Sequence, residues 1–331
     1  MGVVRRLAGA PDKPNGPGAG SPTGSPSRRA PYAGGVLSRV AAQLACPVCA
    51  QALRADPDTG RVGRLLCPRG HAFDVARQGH VALLPGGHAR LGDDAAMVGH
   101  RLDFLGAGHY APIADALICL AGDVPREGLL LDVGGGPGWY AARLLDADPT
   151  RAGVSLDSST AAARRAAKAH PRLASVLADG TGRYPLIDGA AAACLSVFAP
   201  RRPAEMARVL TAGGMALVVT PSARHLEQAR GPLGLLGIDP RKEERLAAGF
   251  AGWVLREHQR VRRELALSRQ DLTHLALMGP SAFHVDPREL ERRLADLPEP
   301  FEVTCEVSVR AYAPPVTAGR AAARRTTGGG P

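Results

Sequence analysis

The chain has 331 residues, 45% of them hydrophobic, with 41 Lys and Arg against 31 Asp and Glu, a formal net charge of +10. That composition excludes a wholly disordered chain, and no run approaches the roughly 18 apolar residues that a membrane span needs. Six cysteines in this length are too few for a disulfide scaffold, so a cytoplasmic protein with no membrane partner is expected.

Residues 1–38 are rich in Gly, Pro, Ser and Arg with almost nothing to bury, and read as a disordered basic arm. Its basic start runs into Gly, Pro and Ser rather than an apolar stretch, so no secretory signal is expected. Residues 39–90 form a small module holding three of the six cysteines. A connector over 91–122 is expected to be helical around 95–105 and 112–120. From residue 128 the pattern becomes βαβ, with strands over 129–133, 152–156, 173–178, 192–198 and 215–220. Helices fall over 141–147, 160–169 and 203–210, the second with Ser158 or Ser159 as N-cap. Residues 222–300 read as more helical, and 301–312 as a late edge strand. Residues 314–331 repeat the character of the arm. The fold class is therefore α/β: a domain over 91–313 with a parallel sheet and helices on both faces, joined to the small module and flanked by tails.

In the module, Cys46 and Cys49 are separated by two residues, and Cys67 and His71 by three, with seventeen residues between the pairs. Each pair fits a tight knuckle turn, and two knuckles complete a tetrahedron, so the spacing predicts a zinc ion. Four protein ligands leave no open position, which makes the role structural. Asp58 and Gly60 mark the expected hairpin tip between the pairs. Cys119, Cys194 and Cys305 lie in apolar surroundings and are expected in the core.

The strand over 129–133 ends at Asp132 and Val133 and runs into Gly134-Gly135-Gly136-Pro137-Gly138. Glycines there let the backbone approach a ligand closely. Asp157 ends the next strand about 20 residues on, where an acid accepts from ribose hydroxyls, and Asp179 ends the third strand, within reach of an adenine amino group. The plain alternative for both acids is a strand-end cap on the following helix. A dinucleotide site usually needs G-x-G-x-x-G, and an acid beside the loop repels pyrophosphate. Asp132 suits the ammonium of a methionine-like tail, so S-adenosylmethionine is favoured over a dinucleotide or an empty turn.

Beyond these motifs come His71-Ala72-Phe73-Asp74, Gln78-Gly79-His80, Gly108-His109-Tyr110-Ala111-Pro112, Val197-Phe198-Ala199-Pro200, Pro221-Ser222-Ala223-Arg224-His225 and Met278-Gly279-Pro280. In this order, over about residues 44–312, the chain resembles the RlmA/TlrB family of 23S rRNA guanine-N1 methyltransferases. The Val-Phe-Ala-Pro and Met-Gly-Pro-Ser forms are most similar to the actinomycete branch linked to macrolide resistance. The resemblance implies a Rossmann-like methyltransferase with a zinc module that helps bind a 23S rRNA hairpin. It implies Cys46, Cys49, Cys67 and His71 as zinc ligands and cofactor contacts at Tyr110, Gly136, Pro137 and His225. Pro137 withdraws one backbone N–H from that set.

A guanine N1 carries a proton, so some group must take it as the methyl arrives; His225, Asp179 and a backbone carbonyl are all candidates. Phe198 sits after the fourth strand, either stacking on the target base or packing under the sheet. Arg201 and Arg202 follow it, either holding a phosphate or forming a solvated pair. Two other functions compete: a zinc-dependent RNA-binding protein with an inactive methyltransferase fold, and a small-molecule methyltransferase. A homodimer is open.

The charge has an address. Residues 1–39 carry six basic residues and one acid, 314–331 three and none, and 40–90 six and three; 91–313 carry 26 and 27. The basic surplus expected to attract RNA lies outside the methyltransferase domain.

Overall fold

The computed structural model describes residues 34–56, 63–84 and 92–315. The basic tail from residue 316, the arm up to residue 33 and the expected hairpin tip at Asp58 and Gly60 lie outside the described residues. The arm ends earlier than expected. Gly34–Val40 form helix α1, and its Val36, Leu37 and Val40 are buried. Three apolar residues at i, i+1 and i+4 suffice to seat one helical face, a signal too short to stand out among glycines.

A zinc-ribbon-like hairpin follows. Strands β1 (Arg54–Ala55), β2 (Arg64–Leu66) and β3 (Ala72–Asp74) pair antiparallel in that order. The chain then adds β4 (His80–Ala82) to a different, larger sheet, in parallel with β7 (Leu173–Leu177). Leu44 also bridges Leu186, and Leu44, Leu53 and Leu65 share one buried cluster with Val154, Tyr184 and Leu186. The small segment thus has no core of its own; its apolar residues complete one face of the large sheet.

Helices α2 (Ala95–Gly106) and α3 (Ala111–Ala121) precede the sheet's central strand. Asp94 caps α2 by accepting from the Met97 N–H. The uniformly apolar runs expected to be strands become β5 (Leu129–Val133), β6 (Gly153–Asp157), β7, β8 (Ala191–Val197) and β9 (Leu210–Pro221). Between them lie α4 (Trp139–Ala147), α5 (Thr160–Ala166) and α6 (Pro203–Val209). Ser159, rather than Ser158, is the N-cap of α5.

Residues 222–300 hold helices α7 (Glu227–Leu233), α8 (Lys242–Gly249), α9 (Arg269–Leu277) and α10 (Pro287–Ala295). They also hold a fourteen-residue strand, β10 (Val254–Leu267), which the sequence did not signal. It pairs antiparallel with β11 (Phe301–Ala313) along its length. The sheet order is β10-β11-β9-β8-β5-β6-β7-β4, with β11 antiparallel to β9. The late strand is therefore interior and β10 is the edge, so the sheet is mixed rather than wholly parallel. Ten of the fourteen β10 residues are exposed, among them Arg256, Arg260, Arg262 and Arg263, and charged residues replace the apolar alternation that would have marked a strand.

Strand order reverses at β5: β6 lies on one side and β8 on the other. In such sheets the crevice at the carboxyl ends of the strands, at this switch point, is where ligands bind. Cys194 and Cys305 are buried as expected, whereas Cys119 is exposed on α3.

Candidate functional site

Two constellations stand out. The first is the cysteine–histidine cluster. Residues 47–49 form the first knuckle turn; in the second, the Cys67 N–H donates to the His71 carbonyl and the Gly70 N–H to the Cys67 carbonyl. These turns bring the donor atoms of Cys46, Cys49, Cys67 and His71 within 4.8 Å of one another. Cys49 Sγ lies 3.7 Å from Cys67 Sγ, and His71 Nδ1 lies 3.2 Å from Cys67 Sγ and 3.5 Å from Cys46 Sγ. A tetrahedral zinc with Zn–S bonds of about 2.3 Å holds its sulfurs roughly 3.8 Å apart, so the four residues fit the ion. Burial opposes ionisation of Cys67, but the His71 and Arg69 backbone groups and the His71 side chain outweigh it and bring the thiol down to about 6. That favours the thiolate a metal needs.

The second is a cavity of about 530 Å³ at the switch point. It gathers segments far apart in the chain: Tyr110, the loop from Gly134 to Pro137, Asp157, Asp179, the turn from Val197 to Pro200, His225, and Met278 with Gly279 and Pro280. The loop is shaped by close approach. A Cβ on Gly135 would lie 2.5 Å from Ser155 Oγ and 2.6 Å from Asp132 Oδ2. Gly136 has φ +55°, and a side chain there would meet Arg101 first.

Asp132 is 1% exposed, and its Oδ2 has no hydrogen-bond partner. Burial, followed by the neighbouring Asp157 carboxylate, pushes its carboxyl up to about 7. Asp157 accepts from the Gly136 N–H at 2.8 Å and the Ser159 N–H at 2.8 Å, tying the loop to the end of β6. It lines the cavity, and Ser159 does the helix capping, so the cap reading of Asp157 does not hold. Asp179 accepts from the Thr181 N–H and hydroxyl at the same rim.

Arg101 on α2 was not singled out from the sequence. It is the only permanent cation among the residues lining this cavity, held by Asp93 and by the Met278 carbonyl. The signal was indirect: a pocket walled by Asp93, Asp132, Asp157 and Asp179 needs a cation if its ligand carries a carboxylate. Unpartnered Asp132 Oδ2 and Arg101 together complement the ammonium and carboxylate of an amino-acid tail. S-adenosylmethionine, with such a tail, fits this wall; a pyrophosphate does not.

Tyr110 is buried, and its hydroxyl lies 3.2 Å from His225 Nε2. Burial first, then Arg230 and Lys242, push His225 down to about 3, so it is neutral and a poor proton acceptor. Phe198 has φ +54°, uncommon for a bulky residue. Its ring does not pack under the sheet: it is 38% exposed, lines the cavity and stacks on His225, centroids 5.6 Å apart at 27°. His109 sits outside the cavity lining, its Nε2 2.9 Å from Asp271.

Three expected site residues are not in the cavity lining. Gly138 has φ +79° and starts α4; a Cβ there would strike Leu173 Cδ2 at 2.8 Å, so helix packing explains this glycine. Arg202 precedes α6 and gives its backbone N–H to the Tyr184 hydroxyl. Arg201 Nε donates to the Ala199 carbonyl and lies beside Arg310 and Lys242 rather than in the cavity. Neither arginine lines the cavity, although both follow Phe198 closely in the chain.

The family described as "RlmA, N-terminal", a zinc ribbon, matches residues 44–90. The chain is 44% identical over 269 residues to the 23S rRNA (guanine(748)-N(1))-methyltransferase of Streptomyces fradiae, covering 80% of this chain and 94% of that one. It is 43% identical over 287 residues to a Micromonospora griseorubida protein named "Putative 23S rRNA (guanine-N(1)-)-methyltransferase", covering 82% of this chain and 97% of that one.

Proposed function

The chain belongs to the 23S rRNA (guanine-N1)-methyltransferase family, and from that premise we propose that it methylates N1 of one guanine in a hairpin of 23S rRNA. The observation that carries this reading is the convergence of Tyr110, the glycine loop, Asp157, Phe198, His225 and Met278 on one cavity. Bound S-adenosylmethionine supplies an electrophilic methyl on a sulfonium. The residues of the chain position and exclude. Asp132 and Arg101 hold the amino-acid tail, Asp157 the ribose, and Asp179 the adenine. The buried pair Tyr110 and His225 keeps water from one wall. Phe198 offers its exposed face to the target base, whose Watson–Crick edge must be unpaired or flipped out. His225, neutral and poorly basic, is a poor acceptor for the N1 proton.

We assign Cys46, Cys49, Cys67 and His71 to a structural zinc, and residues 39–90 to gripping the RNA backbone. The substrate is made and used in the cytoplasm, which is where the reading puts the protein. A homodimer is the remaining partner, and sedimentation of the purified chain reads it directly. Resistance to a macrolide belongs to the same reading and is measured as growth of a deletion strain on the drug.

Methylation at N1 blocks base pairing, so reverse transcriptase stops at the modified guanine. Purified protein with S-adenosylmethionine and a 23S rRNA transcript is expected to create one such stop. Deleting the gene should erase a stop; if every stop in 23S rRNA persists, the reading is wrong.

A further inference from the structure

Behind His225 lies a second cavity, about 370 Å³ in volume, that shares His225, Leu226, Leu235 and Leu236 as walls with the first. Its remaining lining includes Arg230, Lys242 and Arg245, with Asp239 as the one acid. Arg230 is fixed in place by donating to the Ala223 and His225 carbonyls. Arg245 pairs with Asp239 at 2.7 Å. The Lys242 backbone N–H donates to the Asp239 carbonyl, but its ammonium makes no hydrogen bond or ion pair among the described residues, with Glu243 and Asp239 the acids that act on it; it is half-buried and one of only three lysines in the chain. Arg201 and Arg245 flank it. Three cations thus converge on one hollow with a single carboxylate to balance them. His225 is neutral and adds no positive charge.

We propose that this second cavity binds a backbone phosphate of the RNA strand beside the target guanosine, with Lys242 as its principal contact. The proposal rests on the RNA-methylating reading above. Geometry supports it in three ways. Phe198, the surface offered to the target base, stacks on the very histidine that forms the shared wall. A nucleotide's phosphate is joined to its base through one sugar, and the two cavities share a wall, so a strand whose base enters the first has a phosphate near the second. The cofactor's one anionic group already has a cation of its own in Arg101. Phosphate contacts fix register without reading sequence, so a cationic hollow beside the base pocket positions the strand while the neighbouring cavity selects the base. An anion there also relieves burial and the repulsion by Arg201 and Arg245, which together hold the Lys242 ammonium below its ordinary value.

The test uses full-length protein and an in vitro transcript of the hairpin that the wild type methylates. Lys242→Gln is expected to weaken RNA binding about tenfold, the scale of one charge-assisted hydrogen bond. It should also flatten the salt dependence of log K by about 0.7–0.9, one phosphate contact. Lys242→Arg should keep most of both, and S-adenosylhomocysteine affinity by calorimetry should stay within about twofold in each. If Lys242→Gln fails to fold, Arg245→Gln reads the same slope. An unchanged slope in a folded variant overturns the proposal, and so does a parallel loss of S-adenosylhomocysteine affinity, which would give the cavity to the cofactor. The two readings fail separately. A wild-type stop with an unaltered variant slope removes only the cavity, whereas no stop from the wild type removes the methylation reading and this proposal with it.

Discussion

Replacing Asp132 with Asn should make the protein more stable and less able to bind its cofactor. Asp132 is buried, its Oδ2 lacks a partner, and its carboxyl is pushed up from 3.8 to about 7. A shift of about 3 units corresponds to ~4 kcal/mol. The sign follows from proton counts. Between about pH 4 and pH 7 the unfolded chain has released this proton while the native state still holds it, so stability falls as pH rises. Above about pH 7 the penalty is constant, and below about pH 4 it is absent. Asn carries no such term, but its buried amide leaves bonds unmet at a cost of ~1–3 kcal/mol. The net gain at pH 8 is therefore ~1–3 kcal/mol, or about 2–12 °C in Tm at roughly 2–4 °C per kcal/mol. Scanning calorimetry of both proteins from pH 4 to pH 8 should show the variant's advantage growing by most of those ~4 kcal/mol. Isothermal calorimetry at pH 8 should show S-adenosylhomocysteine affinity reduced by at least about tenfold, as befits the loss of a charge-assisted bond. A stability difference that does not change with pH, or an unaltered affinity, would refute the reasoning.

Cys46→Ser should reduce zinc from one ion per chain toward none and lower Tm by more than about 5 °C, since metal binding here is folding energy. Metal analysis with a thermal melt checks this, and an unchanged melt rules out structural zinc. Phe198→Ala should lower kcat/KM for the RNA about 10- to 100-fold, the range of one base–aromatic stack, with S-adenosylhomocysteine affinity within about twofold. An equal loss in both would put the ring on the cofactor instead.

What could be read from the sequence followed what each residue needs locally. Knuckle spacing exposed Cys46, Cys49, Cys67 and His71, because two turns and one ion demand it. The runs at 129–133 and 173–177 were visible as strands because both of their faces are buried. Strand β10 was not, since its arginines and glutamates face solvent and its pairing is dictated by β11 across a thirty-three-residue gap. Arg101 was hidden for a related reason. It lies on a helix whose own pattern explains it, and only the fold brings it over Gly136. Arg201 and Arg202 show the opposite limit: neighbours of Phe198 in sequence, they do not line its cavity.

Strand β10 also leaves one border of the large sheet open. It is the outer strand of the large sheet, and a strand this long with open backbone groups is a template for another chain. Four exposed arginines along it, with Glu257 and Glu264, would have to be desolvated by an approaching strand, so charge blunts this edge. The edge is thus guarded by charged side chains rather than covered by another element. Exchanging those arginines for threonine or valine would trade solubility for adhesion.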